Sequence, residues 1–215
     1  DVGILGGIDR AYIPKLGAAL EMDDTEATFE QLPYILEAGI ALQSPAQDGA
    51  GTLYIYTYTI PTTAQGTWRT YTIEGGDDHA AEEMEYSFVE EFTIKGKGGE
   101  GLMMSAKWAG RQVSTSTFTG SLSIPSVEEI PFSRGKLYID AVSTFPATTQ
   151  KTSTFLEMEL KVKTGLVPFF TGEGNLYFTA IKRVAPELML DITFEHDATS
   201  VAEKVAWRAG TSRSV

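Results

Sequence analysis

The sequence MEYSFVEEFTIKGKGGEGLMMSAKWAGRQV, residues 84–113, decides the fold of this 215-residue chain. Within residues 84–95 the even positions are mostly apolar and the odd positions are mostly polar, and residues 102–113 repeat the alternation. Because successive side chains of a strand point to opposite faces, this period of two predicts two long strands. The four glycines of residues 96–101 predict a turn between them, so we expect a long antiparallel hairpin.

Strand patterns continue on both sides of the hairpin. Nine Tyr, eleven Phe and abundant Thr are a composition typical of β-structure. We predict further strands at 53–60, 67–73, 115–124, 136–143, 153–163, 175–182 and 187–196. In the last of these, Leu188, Leu190, Ile192 and Phe194 occupy alternate positions, and we expect all four to face the core.

Helix signals are few. Residues 29–38 have apolar side chains at helical spacing, which predicts a short helix with Pro33 in its first turn. Residues 200–209 predict a second helix, in which Ser200 and Glu203 form a capping box and Gly210 marks the end.

No linker or internal repeat divides the chain, so we expect one domain over residues 1–215. Its predicted class is mainly β, an antiparallel β-barrel or sandwich with the long hairpin and one or two short flanking α-helices. We expect an arm-like N-terminal segment at about 1–24 and a short, frayed C-terminal tail at 211–215.

The chain is acidic, with 17 Lys and Arg against 29 Asp and Glu and a formal net charge of −12. Residues 16–94 hold 15 of these acids and a single base, Arg69. Such a charge argues against a protein that grips nucleic acid by neutralising phosphates, and against docking on anionic lipid. The chain has no Cys, which excludes a disulfide framework and a thiolate metal site.

Signals for catalysis and metal binding are weak. The glycine-rich turn at 96–101 precedes a strand, whereas a phosphate-binding loop precedes a helix. The neighbours of His196 on a strand point to the opposite face, and His79 lies in a polar turn, so we expect no metal site. No nucleophile elbow is present.

Carboxylate pairs and tryptophans leave one other chemistry open. Glycoside hydrolysis needs two carboxylates, and the chain holds three adjacent pairs of glutamates, which begin at Glu82, Glu90 and Glu128. Tryptophans build platforms for sugars, although core or interface packing is their commoner use; the three are Trp68, Trp108 and Trp207. A carbohydrate-binding or glycan-hydrolysing β module is therefore an alternative function.

Several runs together resemble the major tail tube protein of long, non-contractile-tailed bacteriophages. The strongest are EEMEYSFVEEF at 82–92 and SAKWAGRQV at 105–113. Three shorter runs are similar to the same family: FEQLPYIL at 29–36, TFTG at 117–120 and GKLYID at 135–140. The resemblance spans roughly residues 25–208 and rests on cumulative pattern, because none of these runs is a catalytic signature.

The resemblance implies a structural virion protein with no enzyme activity and no cofactor. It implies rings of six copies, whose inner strands join into a continuous β-barrel around a lumen, and rings that stack into a tube through loops and terminal arms. The implied partners are further copies, other tail proteins such as the tape measure and terminator, and DNA as transient cargo, with no membrane. The protein would be assembled in the bacterial cytoplasm and function in the phage tail. A terminator or distal ring protein on the same fold is a second alternative.

The resemblance also implies places in the tube for particular residues. It implies that the long hairpin lines the tube, and the candidate lumen-facing residues are Glu85, Ser87, Glu91, Lys107 and Arg111. A negative lining would repel a passing polyanion. The acidic loop 74–83 has a second possible place at a ring edge; the candidate charges between rings or subunits are Asp77, Asp78, Glu82, Glu83, Lys182 and Arg183.

Overall fold

The computed structural model describes residues 12–61, 64–144 and 146–215. Its first strands are β1 (Ala18–Glu26), β2 (Ala46–Gln47), β3 (Tyr54–Ile55), β4 (Tyr71–Gly76), β5 (Ala81–Lys97), β6 (Met103–Gly110) and β7 (Val113–Ser116). The later strands are β8 (Leu137–Tyr138), β9 (Asp140–Ala141), β10 (Gln150–Lys151), β11 (Phe155–Lys163), β12 (Leu166–Phe169), β13 (Ala180–Arg183), β14 (Glu187–Phe194) and β15 (Arg213–Ser214). The helices are α1 (Leu32–Gly39) and α2 (Ala198–Arg208). The mainly β, antiparallel class with two short helices is confirmed, although the sheet does not close into a barrel within the described residues.

The predicted hairpin is confirmed and forms the centre of the structure. Strands β5 and β6 are antiparallel, with Phe92 opposite Ala106 and Ile94 opposite Met104. These four side chains are buried in the main core. Alternation therefore placed the apolar face of the hairpin correctly over this half of β5.

Two irregularities interrupt the alternation in the other half of β5. Tyr86 has a φ of 55°, and the pairing register shifts between Val89 and Glu91. A bulge adds an unpaired residue and changes which face the following side chains occupy. As a result Ser87, Phe88 and Val89 are all fully buried, which a strict period of two does not allow.

Five strands form the main sheet in the order β1-β6-β5-β11-β14, and each neighbouring pair is antiparallel. One face of this sheet carries the main core, where Ile35 and Ala38 of α1 pack together with Val89 of β5. Strands β4 and β7 pair with the first half of β5 instead. The outer strands β1 and β14 each have one edge without a strand partner in the described part of the chain.

The outer position of β14 corrects one sequence expectation. Leu188 and Leu190 were expected to face the core, but they are 56% and 38% exposed. The period of two is preserved, since β14 pairs in register with β11. An edge strand lacks a neighbour on one side, so its apolar row remains partly in solvent.

Both helices are found, but α1 begins three residues later than predicted and α2 begins two residues earlier. The capping box of α2 is formed by Asp197 and Ser200: the Ser200 N–H donates to Asp197 Oδ1 at 2.8 Å, and the Asp197 N–H donates to Ser200 Oγ at 3.0 Å. The predicted box of Ser200 and Glu203 is therefore wrong by one turn. Glu203 instead pairs with Lys151 and Arg213 at 2.8 and 2.9 Å.

The predicted flexible ends are partly wrong. Residues 18–24 of the expected N-terminal arm belong to β1, while residues 1–11 lie outside the described residues. The expected frayed tail, 211–215, contains β15, which pairs with β9 and buries Ser214. The expected strands at 53–60 and 115–124 shrink to β3 and to the end of β7.

Candidate functional site

The face of the main sheet opposite the core is charged. In the pairing register Glu21 of β1 lies opposite Lys107, Lys107 opposite Glu91, Glu91 opposite Lys163, and Lys163 opposite Glu187 of β14. The row therefore alternates in sign across all five strands. Side chains directly opposite on one face lie close enough for favourable charge pairing.

A second row on this face alternates less regularly. Lys95 of β5 lies opposite Glu159 of β11, and Glu159 lies opposite Asp191 of β14. Lys95 Nζ also donates to Asp24, and this hydrogen bond lowers the pKa of the Asp24 carboxyl. Lys161 Nζ lies 3.1 Å from Glu159 Oε2. Exposed pairs of this kind contribute little stability each, but together they interleave lysines with acids over this surface. We call it the charged face.

Only two of the five candidate lumen residues lie on the open part of the charged face. Lys107 is exposed and Glu91 is half-buried beside it. Ala109 follows Lys107 on the same face, but it packs against Phe88, Leu166 and Phe178, a second small core next to the β12–β13 hairpin. The solvent-exposed part of the charged face therefore ends at Ala109.

The other three candidates are occupied within the chain. Glu85 accepts hydrogen bonds from Gln112 Nε2 at 3.1 Å and from Ser114 Oγ at 3.0 Å. Arg111 donates to the carbonyls of Phe178 and Thr179 at 3.0 and 3.3 Å, and its guanidinium stands 3.9 Å from the centre of the Tyr86 ring. The expectation that Ser87 is surface-exposed is wrong, because it is fully buried and its Oγ donates to the Met84 carbonyl at 3.0 Å.

The acidic candidates around the β4–β5 turn are at the surface. Asp77 Oδ1 accepts the N–H groups of Ala80 and His79 at 2.9 and 2.8 Å, and these hydrogen bonds lower the pKa of Asp77. Asp78 and Glu82 are exposed, and Glu83 accepts a hydrogen bond from a β7 serine at 3.0 Å. This group therefore forms an acidic surface strip, with Asp77 shaping its turn.

The two basic candidates behave differently. Lys182 is exposed, with Nζ 3.7 Å from the centre of the Phe169 ring. Arg183 is half-buried; its Nη2 donates to the carbonyls of Gly39 and Ile40, at 2.8 and 2.6 Å, at the C-terminal end of α1. Burial lowers the pKa of Arg183. Because the Arg183 guanidinium donates to carbonyls of its own chain, the expectation that it is free to pair with acids of another ring is wrong.

An apolar cleft with an acidic rim lies beside this strip. It has a volume of about 610 Å³ and lies between β1 on one side and β4, β5 and β7 on the other. Its apolar lining includes Leu20, Ile73, Met84 and Val113, and its acidic lining is Asp77, Glu82 and Glu83. We call it the acidic cleft; the sequence did not indicate it, because its walls come from segments far apart in the chain.

A buried polar cluster was also not foreseen. Glu37 of α1 is only 7% exposed; its Oε2 lies 3.2 Å from Arg69 Nη1 and accepts the Tyr71 hydroxyl at 3.2 Å. Burial, reinforced by the charge of Glu37, raises the pKa of Tyr71 to about 12, and it does the same for Tyr58. The cluster fixes α1 on the sheet through charge-assisted hydrogen bonds.

The residue types considered for metal or sugar chemistry do not converge. No group of three or more His, Asp or Glu side chains suitable for a metal occurs among the residues that the structure describes. Trp108 belongs to the main core, Trp68 packs against the second core, and Trp207 is 76% exposed. The three tryptophans thus occupy three different environments instead of one platform.

Comparison of the sequence with models of known protein families gives no match, and comparison with curated proteins gives none either. Neither helix of the described chain is both long enough and apolar enough to cross a membrane.

Proposed function

We propose that this protein is a self-assembling structural subunit of the tail tube of a long, non-contractile-tailed phage. Copies would join through the edges of the main sheet into rings, and stacked rings would form a conduit through which DNA passes to the host. The observation that carries the proposal is the open five-stranded sheet, which has a core face, a charged face and two outer strands without strand partners in the described chain.

The edge strands supply the assembly contact. An unpaired edge is a template for pairing with another chain, and here the edges also expose apolar side chains of the core face. Leu188 and Leu190 are partly exposed on β14, and Met22 of β1 is half-buried at the margin of the main core. A neighbouring copy that abuts these edges would cover both apolar rows, which favours association.

The charged face supplies a lumen surface suited to DNA as cargo. Each Lys of the first row, Lys107 and Lys163, has a Glu on both sides. A basic side chain between two acids cannot present an uncompensated positive charge to phosphate, so DNA would slide without being held. The lining we propose is thus interleaved, not uniformly negative. No catalytic step is part of the proposal.

Negative-stain electron microscopy of concentrated protein tests the assembly. We expect rings or tubes from the native chain, promoted by salt because both outer strands carry acidic side chains. Leu188→Ser should abolish rings because it removes an apolar edge contact. Val142→Ser, at a residue of similar exposure (65%) outside the sheet edges, is the control and should assemble normally.

A monomer at every concentration and salt condition, combined with binding to a glycan array, would refute the tube and favour the carbohydrate-binding alternative. Rings that form but never stack would favour a terminator or distal ring protein. In virions, a tube subunit should be an abundant band and a terminator a scarce one.

A further inference from the structure

Helix α2 exposes most of its surface. Among its residues only Ala206 is buried, while Val205 and Trp207 are 61% and 76% exposed. At 100° per residue, an arc of about 160° holds Trp207, Lys204, Arg208, Val201 and Val205. This arc, which we call the α2 face, is a mixed apolar and basic surface.

The part of α2 outside this arc is attached to the rest of the molecule. Glu203, largely buried, pairs with Lys151 of β10 and with Arg213 of β15. The Asp197–Ser200 capping box closes the N-terminal end of the helix. These contacts hold the α2 face in a fixed orientation toward solvent, so it is presented as a preformed surface.

The acidic cleft has complementary properties. Its lining includes Leu20 and Val113, which are 41% and 53% exposed, and its acids include Asp77 and Glu82. Its volume of about 610 Å³ is within the usual range for a site that accepts an aromatic group. No α2 residue lines the cleft, so the helix of the same copy does not fill it.

The charges on the two surfaces match. Within the described chain, neither Lys204 nor Arg208 of the α2 face forms an ion pair, and neither does Glu82 of the cleft. Opposite charges around an apolar contact favour association and select its orientation. Both surfaces therefore have groups that a second copy of this chain can satisfy.

We propose that the α2 face of one copy docks in the acidic cleft of another, with Trp207 inserted between the apolar walls. Arg208 and Lys204 then face the acids of the rim. The contact is heterologous, because each copy contributes a different surface to it, and it therefore propagates from copy to copy. It rests on the proposed self-assembly, to which it adds a second contact besides the sheet edges.

The absence of native cysteines permits a direct test. One variant carries Val205→Cys on the α2 face and the other carries Val113→Cys in the cleft, both with Leu188→Ser to remove the edge contact. Random pairing of equal amounts would give about twice as much mixed dimer as either homodimer. After mixing and mild oxidation we expect a ratio of about twenty, a preference of about tenfold over random pairing, equivalent to about 1.4 kcal/mol. Thermal unfolding of each variant checks that it is folded.

Charge reversal sharpens the test. Arg208→Glu in the first variant should lower the mixed dimer about tenfold, and Glu82→Arg in the second should restore it. Lys136→Cys, at an exposed residue outside both surfaces, replaces Val205→Cys in the control and should give no preference. A ratio of mixed dimer to either homodimer near the random value of about two, or a yield unaffected by Arg208→Glu, would overturn the proposal.

Two outcomes separate this inference from the proposed function. Tubes from the native chain without the mixed disulfide would refute the α2 contact and leave the tube standing. The mixed disulfide without rings or tubes under any condition would support the contact and refute the tube. Capture of an unrelated basic peptide by the cleft, with no mixed disulfide, would assign the cleft to another partner and overturn self-docking.

Discussion

Arg183 either stabilises the fold at the end of α1 or forms a contact between rings, and the variant Arg183→Ala tests which role it has. In the structure its guanidinium donates to two carbonyls at the end of α1 and lies 5.4 Å from the centre of the Trp68 ring. Each hydrogen bond from a charged donor contributes about 1.5–3 kcal/mol, and the aromatic contact adds about 0.5–1 kcal/mol. The cost of burying the cation offsets part of this. We therefore expect a loss of about 3 kcal/mol in the free energy of unfolding.

Urea denaturation of dilute protein, followed by circular dichroism, measures this loss. With a dependence on urea of about 2 kcal/mol per molar, the midpoint should fall by about 1.5 M. Lys182→Ala is the matched control: this exposed neighbour should change the unfolding free energy by less than about 0.5 kcal/mol. A loss below about 1 kcal/mol for Arg183→Ala, together with failed ring stacking, would refute the role at the end of α1. It would support the expectation that Arg183 forms a contact between rings.

Three further predictions concern pH, packing and cargo. Hydrogen bonds from Thr149 and Thr148 hold the pKa of Asp140 at about 2, below its usual 3.8. The contribution of Asp140 to stability is therefore present above about pH 4 and is lost as the pH falls through 2. Asp140→Asn should flatten that part of an acid-denaturation curve, and an unchanged slope would contradict this. A Cβ at Gly39 would lie 2.9 Å from Thr164 Cγ2, so Gly39→Ala should lower the free energy of unfolding, measured by urea denaturation, by about 1–3 kcal/mol. Gly120→Ala, at an open site, should lower it less. Equal losses would rule out the clash. Assembled tubes of Glu91→Lys should retain short DNA at low salt, because the new lysine lies between Lys107 and Lys163 on the charged face. Glu85→Lys tubes are the control. If they retain as much DNA, the charged face is not the lumen.

The hairpin shows how far local pattern can be trusted. Alternation identified β5 and β6, and it placed Phe92, Ile94, Met104 and Ala106 in the core, because a strand with one buried face must repeat every second residue. The same rule failed at Ser87. The irregularities at Tyr86 and between Val89 and Glu91 lie where β5 changes neighbours, from β4 and β7 along its first half to β6 and β11 along its second, and the period of two does not contain that change.

The candidate site was predictable only where it follows one hairpin. Glu91 and Lys107 were foreseen as residues of one polar face, and the register places them opposite each other. The charged row continues to Glu21 in one direction and to Lys163 and Glu187 in the other. Predicting that continuation requires the strand order of the sheet, which no local pattern contains. The acidic cleft likewise needs four strands from distant segments.

Local sequence by itself determined the chemistry of each segment: the period of two of the long strands, the glycine turn between them, the two short helices and the concentration of acid before Lys95. These properties depend on side-chain size, backbone preference and charge, which act over a few residues. Tertiary structure alone decided which charges remain free. Lys182 and Arg183 are adjacent in the chain and both basic, yet Lys182 stays in solvent while Arg183 is buried against α1. The reason is that a long-range contact desolvates the Arg183 guanidinium and pairs its Nη2 with carbonyls at the end of α1, about 140 residues earlier in the chain.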